Sequence, residues 1–364
     1  MRVKVIGAGS IGNHLSNAAR QLGWSVDLCD TDAAALERTR THIYPSRYGA
    51  WDDRIRLFNA AQAPTGQYDL ICVGTPPDSH VPLGLAAINE KPKAVLIEKP
   101  LCTPDLAGAQ KLYDRSRELG VAVFTGYDHV VGQAAEQVSA ILAEGALGAI
   151  STIDVEFREY WGGIFKAHPW LDGPQDSYLG YSNRGGGASG EHSHAANLWQ
   201  HFAHACGGGR IVEVAATLDF VRDGIVDYDR LCLANVVTQT GLTGRFVQDV
   251  VTQPPRKWAR IQGDRGFAEW HCGLKPGCDA VFHQFGDAEP STTHIEKTRP
   301  QDFIRELQHI ERALSSGSPP AHIGVERGLD TMLVIAAIHL SHRERQSIHI
   351  DYSKGYTLDA LSTR

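Results

Sequence analysis

Two segments of this chain carry side chains able to move a proton near neutral pH. The first is Glu98-Lys99-Pro100, which follows the apolar run Ala94–Ile97. A lysine that is partly desolvated beside a cationic ring has a lowered pKa and can give or take a proton. A solvated strand-end lysine paired with Glu98 fits the same residues, and the sequence leaves both readings open. The second segment is Gly185-Gly186-Gly187-Ala188-Ser189-Gly190-Glu191-His192-Ser193-His194-Ala195-Ala196-Asn197. A neutral imidazole can accept a hydroxyl proton, and either His192 or His194 could do so. His194 is preferred, because Asn197 lies one helical turn further along the same face. Glu191, His192, His194, His201 and His204 are dense enough to raise a metal site. Residues one or two apart do not face each other on a helix, however, and no HExxH pattern is present, so no metal is expected.

A third motif could hold a dinucleotide. Val3-Lys4-Val5-Ile6 leads into Gly7-Ala8-Gly9-Ser10-Ile11-Gly12. In a strand–turn–helix of this kind the first glycine permits the turn. The second lets backbone approach a pyrophosphate, and the third lets helix pack on strand. The N–H groups at Ser10 and Ile11 would face the phosphates from a helix N-terminus. Asp30, 18 residues after Gly12, stands where an acid binds ribose hydroxyls. A carboxylate there repels a 2′-phosphate, so NAD is expected and NADP disfavoured. Gly74, Thr75, Pro76 and His80 follow one apolar strand, and Glu98 and Lys99 follow another. Both groups lie at strand carboxyl ends, where open α/β sheets bind ligands, and they are expected to line the cofactor.

The positioning elements follow from periodicity. Val3–Ile6, Ser25–Cys29, Ile55–Phe58, Asp69–Val73, Ala94–Ile97 and Val121–Phe124 read as short buried strands. Helices over Ile11–Leu22, Thr31–Thr41, Ser79–Asn89 and Asp105–Leu119 separate them. This is the pattern of a doubly wound parallel sheet. The pattern changes near Gly126. A helix over Gln133–Glu144 is followed by longer alternating strands at Thr152–Tyr160, Val212–Val221, Arg230–Thr238, Thr243–Val251, Trp258–Ile261 and Phe267–His271. These predict a large, mainly antiparallel sheet in an α+β domain. Trp161–Ser189 reads as a long irregular loop, and helices are expected over Asp302–Leu314 and Gly328–His342. The expected division is 1–126 for the dinucleotide domain and 127–364 for the substrate and oligomerisation domain. The helix over about 328–343 could pack back toward the first.

The glycine loop, the Gly74-Thr75-Pro76-Pro77 to His80 segment, Glu98-Lys99-Pro100 and Gly145-Ala146-Leu147-Gly148-Ala149-Ile150 together resemble the Gfo/Idh/MocA family, over nearly the whole chain. That resemblance implies a C-terminal open-faced sheet carrying the substrate pocket, and homodimers or homotetramers formed through it. It further implies hydride transfer at a secondary alcohol of a sugar or cyclitol, with Lys99 and His194 moving the proton. In the family a triple-glycine turn precedes Asp-x-x-x-His-x-x-Asp. Here Glu191 stands one residue too close to His194, and Asn197 replaces the second acid. Tyr160, Trp161, His168, Trp170, Asn183, Glu191, His192 and Asn197 are candidate substrate groups, with Lys166, Tyr178 and Arg184 beside them. Aromatic faces and donors suit a polyhydroxylated ring, though packing would use the same residues. Two rival activities share the scaffold: a lyase or glycosidase that uses NAD transiently, and a non-catalytic dinucleotide-binding regulator.

Bulk properties narrow the field further. The chain has 364 residues, enough for two domains, and 42% are apolar. A net charge of −7 gives no electrostatic case for nucleic acid or an anionic membrane as partner. No run approaches the ~20 apolar residues of a membrane span, and the N-terminus does not read as a signal peptide. Seven cysteines with no CxxC pair suit reduced thiols in a cytoplasm.

Overall fold

A computed structural model describes residues 1–167, 170–317 and 322–363. The chain divides into two compact units. One comprises Met1–Cys102, Gly108–Asp128 and Arg299–Gly328, and the other Thr103–Ala107, His129–Thr298 and Leu329–Arg364. The first unit opens with β1 (Arg2–Ile6), α1 (Ser10–Gln21), β2 (Ser25–Asp30), α2 (Ala33–Arg38), α3 (Tyr44–Tyr48), β3 (Ile55–Asn59), β4 (Leu70–Val73), α4 (His80–Asn89), β5 (Ala94–Glu98), α5 (Ala109–Leu119) and β6 (Ala122–Gly126). Its six strands are parallel in the order β3-β2-β1-β4-β5-β6. Every residue of β4 and β5 is buried, as expected of central strands covered on both faces. The strand order reverses between β1 and β4, which opens a ligand crevice at their carboxyl ends. Two helix expectations change. The stretch before α5 is a turn, because the Asp105 carboxylate accepts from the Thr103 hydroxyl (2.6 Å) and the Ala107 N–H (3.1 Å). The helix capped by Asp32 is shorter than expected, and a wider turn over Thr39–Ile43 leads from it into α3.

The second unit contains α6 (Gln133–Ala143), β7 (Ile150–Arg158), α7 (Gly162–Ala167), α8 (Gly187–Glu191), α9 (His194–Ala205), β8 (Ile211–Arg222), β9 (Asp227–Thr238), β10 (Thr243–Asp249), β11 (Arg256–Gly263), β12 (Gly266–Lys275), β13 (Cys278–Phe285) and β14 (Ser291–Glu296). The chain then enters α10 (Arg299–Ser316), α11 (Val325–Glu344), β15 (Ile348–Ile350) and β16 (Leu361–Thr363). Ten strands form one sheet in the order β14-β13-β12-β11-β7-β10-β9-β8-β15-β16. β7 and β10 pair in parallel, and the other pairings are antiparallel. Four of these strands, β13 to β16, do not stand out in the sequence: β15 and β16 have only three residues each, β13 buries four residues in a row, and β14 is mostly polar and exposed. The irregular loop is also more ordered than expected, with α7, α8 and three short 3₁₀ turns within it.

Helix α9 covers one face of this sheet. Its Trp199 is fully buried, and Nε1–H donates to the Ile153 carbonyl of β7 at 2.8 Å. Helix α10 belongs with the first unit, which a single boundary at 126/127 does not provide for. Its Phe303, Leu307 and Ile310 form a buried stripe, and the His14 ring of α1 stacks on Phe303 at 4.7 Å.

Candidate active site

The glycine loop has the geometry its spacing implies. Gly7 adopts φ +105°, and a Cβ there would lie 2.8 Å from the Gly74 carbonyl oxygen. A Cβ on Gly12 would lie 1.8 Å from the Gly7 oxygen, so α1 meets β1 backbone to backbone. A Cβ on Gly9 would meet nothing within 4 Å, so the loop is open on the side a pyrophosphate would approach. Ser10 and Ile11 start α1, whose first N–H groups and positive dipole end face that side. Asp30 ends β2 with Oδ2 accepting from the Ala8 N–H (2.7 Å) and Oδ1 from the Asp32 N–H (2.9 Å). Its carboxylate is thereby fixed with acceptor capacity left for a ribose. Arg47 escaped the sequence reading, since it lies in no motif. Its guanidinium donates to Ser10 Oγ (2.9 Å) and the Ser10 carbonyl (3.0 Å), bringing a cation to the head of α1.

At the carboxyl ends of β4 and β5 the loops are tied together. The Thr75 and Ser79 hydroxyls lie 2.6 Å apart, beside Gly74 and Pro76. His80 is fully buried, with Nδ1 2.8 Å from the Pro100 carbonyl and Nε2 2.7 Å from the Thr75 carbonyl. Burial lowers its pKa against the pull of the two carbonyls. Both ring nitrogens face protein carbonyls, and the single N–H of the neutral ring donates to one of them, so His80 braces the two loops from within.

Lys99 is half-buried directly beyond β5. Its neighbour Glu98 is only 5% exposed, and burial followed by the charge of Asp128 raises its pKa to about 8. Glu98 is therefore no solvated ion-pair partner. Its carboxyl lies over Gly126, where a Cβ would approach to 2.7 Å. Glu306 of α10 is fully buried nearby, and neither carboxyl oxygen has a hydrogen-bond partner among the described residues. Burial, then Glu98 and Asp128, push its pKa well above the usual range. Arg299 reaches Asp128 and Asp302, each at 3.2 Å.

This cluster gives a signed pH effect. Folded Glu306 keeps a proton that the unfolded chain releases above about pH 4.3. Stability contributed by this group is thus complete below that pH and is lost as pH rises toward the raised folded value. Replacing Glu306 with Leu removes the penalty. Glu306→Leu should match the parent at pH 4.5 and exceed it by on the order of 2 kcal/mol at pH 8. Urea denaturation at the two pH values checks this, and equal differences at both would contradict it.

In the second unit the histidine segment gathers a polar group. His192 occupies the turn between α8 and α9 and is 3% exposed, while His194 begins α9. The His194 ring stacks on Phe157 of β7 at 5.7 Å and meets the His129 ring edge-on at 4.6 Å. Glu191 accepts from the Tyr178 hydroxyl at 3.0 Å. Glu159, just beyond β7, pairs with Lys257 at 3.0 Å. Burial raises the pKa of Glu159, but Lys257 and His192 outweigh it and the net direction is down. Two carboxylates, three imidazoles, a lysine and a phenol thus share one region of the sheet's covered face. His129, Glu159 and Lys257 were missed. Only His129 carried a signal, since Asp128-His129 follows the last parallel strand at its carboxyl end.

Other expected substrate groups separate from this set. Trp161 is 5% exposed and packs with Leu179, Ala188 and Val250, its ring 4.7 Å from Tyr228, so it is core. Asn197 is buried and donates to the Thr331 hydroxyl of α11 at 3.1 Å, which makes it a helix-packing residue. His201 faces Ser139 of α6 at 2.8 Å. Asn183 is exposed and lines a different cavity. Tyr160 and Trp170 are exposed, and His168 lies outside the described residues.

Comparison with known proteins agrees with this architecture. Residues 1–127 match the Gfo/Idh/MocA oxidoreductase-family model with its NAD-binding Rossmann fold, and residues 135–269 match the Gfo/Idh/MocA C-terminal domain. No curated protein sequence matches. Among solved structures, levoglucosan dehydrogenase in complex with NADH and levoglucosan superposes with TM-score 0.77 at 15% identity, covering 96% of this chain and 98% of that one. The aldose–aldose oxidoreductase of Caulobacter crescentus, complexed with glycerol, gives 0.75 at 19% identity, covering 96% and 99%. The WlbA dehydrogenase of Bordetella pertussis, with NADH and UDP-GlcNAcA, gives 0.70 at 18%, covering 96% and 98%.

Proposed function

The chain belongs to the Gfo/Idh/MocA family of NAD-binding oxidoreductases, and from that premise we propose that it moves a hydride between nicotinamide and a secondary alcohol or ketone of a sugar, sugar derivative or cyclitol. The observation that carries this reading is Lys99, half-buried at the carboxyl end of β5 in the sheet whose glycine loop fits a dinucleotide. Solved relatives crystallised with levoglucosan and with a UDP-sugar acid favour the carbohydrate class.

The residues divide the work. Gly7, Gly9 and Gly12 let backbone approach the pyrophosphate, and the head of α1 with Arg47 supplies positive charge there. Asp30 orients the ribose and repels a 2′-phosphate. When bound, NAD supplies the hydride acceptor. Lys99 takes or gives the hydroxyl proton from the first unit's strand ends, and His194 is the second unit's candidate for the same task. His129 and Phe157 hold the His194 ring in place. Burial and the charge of Asp128 raise the Glu98 pKa to about 8, so its carboxyl is largely protonated near neutral pH. An NAD-reduction assay across free sugars, cyclitols and sugar acids tests this proposal.

The outer face of the ten-stranded sheet carries Leu233 and Asn235 in the open, with an Arg245–Asp154 pair beside them. It is the surface proposed for a homodimer or homotetramer. Sedimentation velocity should give a multiple of the 39.7 kDa chain mass, and Leu233→Arg should shift it toward monomer; a monomeric parent would contradict this. All seven cysteines are free thiols, which suits the reducing cytoplasm proposed for it. No described helix is long and apolar enough to cross a membrane.

A further inference from the structure

The second unit holds a cavity of about 630 Å³ that the His194 group does not line. Its floor is apolar. Ala336, His339, Leu340 and Arg343 fall at i, i+3, i+4 and i+7 of α11, one stripe of that helix, and Phe220 and Leu361 face the same space. The volume is that of an ordinary small-molecule pocket. The cavity's charged lining is mixed. Arg222 and Arg343 line it, each beside an acidic partner, Asp227 at 3.1 Å from Arg222 and Glu344 at 2.9 Å from Arg343, and Asp105 lines it as well. Burial lowers the pKa of His339 to about 4, with His342 and Arg343 acting the same way and Asp227 opposing. At His342 burial is again joined by Arg222 and Arg345. His339 is therefore neutral near pH 7, chiefly because it is buried.

His339 also begins a buried polar chain. Its Nε2 lies 3.0 Å from Ser189 Oγ, and Ser189 donates to Asp229 Oδ1 from Oγ (3.0 Å) and to Oδ2 from its backbone N–H (2.7 Å). Ser182, which lines the cavity, donates to Asp229 Oδ1 at 3.1 Å. Ser189 and Asp229 are fully buried. A Cβ on Gly187 would sit 2.1 Å from Asp229 Oδ1, so the carboxyl is wedged against the first turn of α8. Helix α8 ends at Glu191, which Tyr178 holds, and the chain passes at once to His192 and His194.

We propose that this cavity is a second ligand site, taking a small organic anion with an apolar ring or chain, and that occupancy is relayed through His339, Ser189 and Asp229 to α8 and the histidine segment. The anionic oxygens meet Arg222 and Arg343, and the apolar body covers Leu340 and Phe220. Contact with His339 fixes the Ser189 hydroxyl, and with it the start of α8. The site goes beyond the proposed redox activity and does not depend on it.

The probe is 8-anilinonaphthalene-1-sulfonate, titrated by fluorescence with NAD saturating so that the dinucleotide site is filled. The parent should bind it. Arg343→Glu, at an exposed position, and Leu340→Trp, which fills the floor, should each weaken binding about tenfold or more. Phenylacetate and phenyl phosphate are the competing arms, and whichever displaces the probe identifies carboxylate or phosphate as the recognised group. Hydrogen exchange over residues 187–194 should slow when the probe binds the parent. In Ser189→Ala the probe should still bind without that protection. Unchanged affinity in both cavity variants, or no displacement by either competitor, would overturn the site. Binding without protection in the parent, or protection retained in Ser189→Ala, would overturn the relay.

Discussion

Lys99→Ala should lower kcat by about 10²- to 10⁴-fold, the range for loss of a general acid–base group. NAD affinity should stay nearly unchanged, because the groups that fit the dinucleotide are the glycine loop, the head of α1, Arg47 and Asp30. The lysine is placed by β5, whose residues are all buried, and by the buried His80 ring, packed between the Pro100 and Thr75 carbonyls. Truncating its side chain removes a half-buried amine and leaves those supports intact. The melting temperature should therefore hold within a degree or two while turnover collapses. Steady-state NADH formation, NAD titration calorimetry and a thermal melt separate the outcomes. A fall in stability matching the fall in rate would make Lys99 structural. Lys99→Arg keeps the charge but cannot release its proton near neutral pH, so it should hold the parent's stability and NAD affinity and still not turn over.

Gly12→Ala should abolish measurable NAD binding, a loss of at least about 100-fold if α1 must shift by one ångström or more from its dipole contact with the phosphates. A Cβ there would lie 1.8 Å from the Gly7 carbonyl oxygen. That oxygen cannot retreat, because Gly7 itself lies against Gly74 in a conformation other residues rarely adopt. Gly9→Ala makes the sharper comparison. A Cβ at Gly9 meets nothing within 4 Å, so the empty protein should melt normally. The methyl would occupy the face a pyrophosphate approaches, and NAD binding should still fail. Calorimetric titration with NAD and a thermal melt on both variants check the pair. Normal NAD affinity in Gly9→Ala would move the pyrophosphate elsewhere.

The first unit's sheet was legible because central parallel strands are buried on both faces, which makes Leu70–Val73 and Ala94–Ile97 unbroken apolar runs between helices. The dinucleotide loop was legible because its three glycines serve three separate steric needs, each visible as spacing. The second sheet was less so. Its central strands alternate clearly, but β13 buries Cys278 to Val281 in a row, Asp279 among them, and the edge strand β14 is mostly polar and exposed. Trp161 and Asn197 show another limit. An aromatic ring and an amide have the same composition whether they face a substrate or a core, and here burial and a bond to Thr331 assign both to packing. Glu306 and Arg47 were invisible for a different reason: their partners are Glu98 and Asp128 for one and Ser10 for the other, all far away along the chain. The pairing of His129 with His194 is likewise a product of tertiary structure, although the strand-end position of His129 was a usable hint.

In the proposed reading Asp30 carries the cofactor preference and Lys99 the chemistry, and one measurement bears on both. Purified protein is incubated with NAD and, in turn, free sugars, inositols, amino sugars, sugar acids and sugar phosphates, with absorbance followed at the reduced nicotinamide band. The account predicts continuous NADH formation over many turnovers with at least one polyol class, faster with NAD than with NADP, and absent in Lys99→Ala. Tight NAD binding with no net NADH from any class would contradict it and would favour a transient-redox lyase or a dinucleotide-binding regulator.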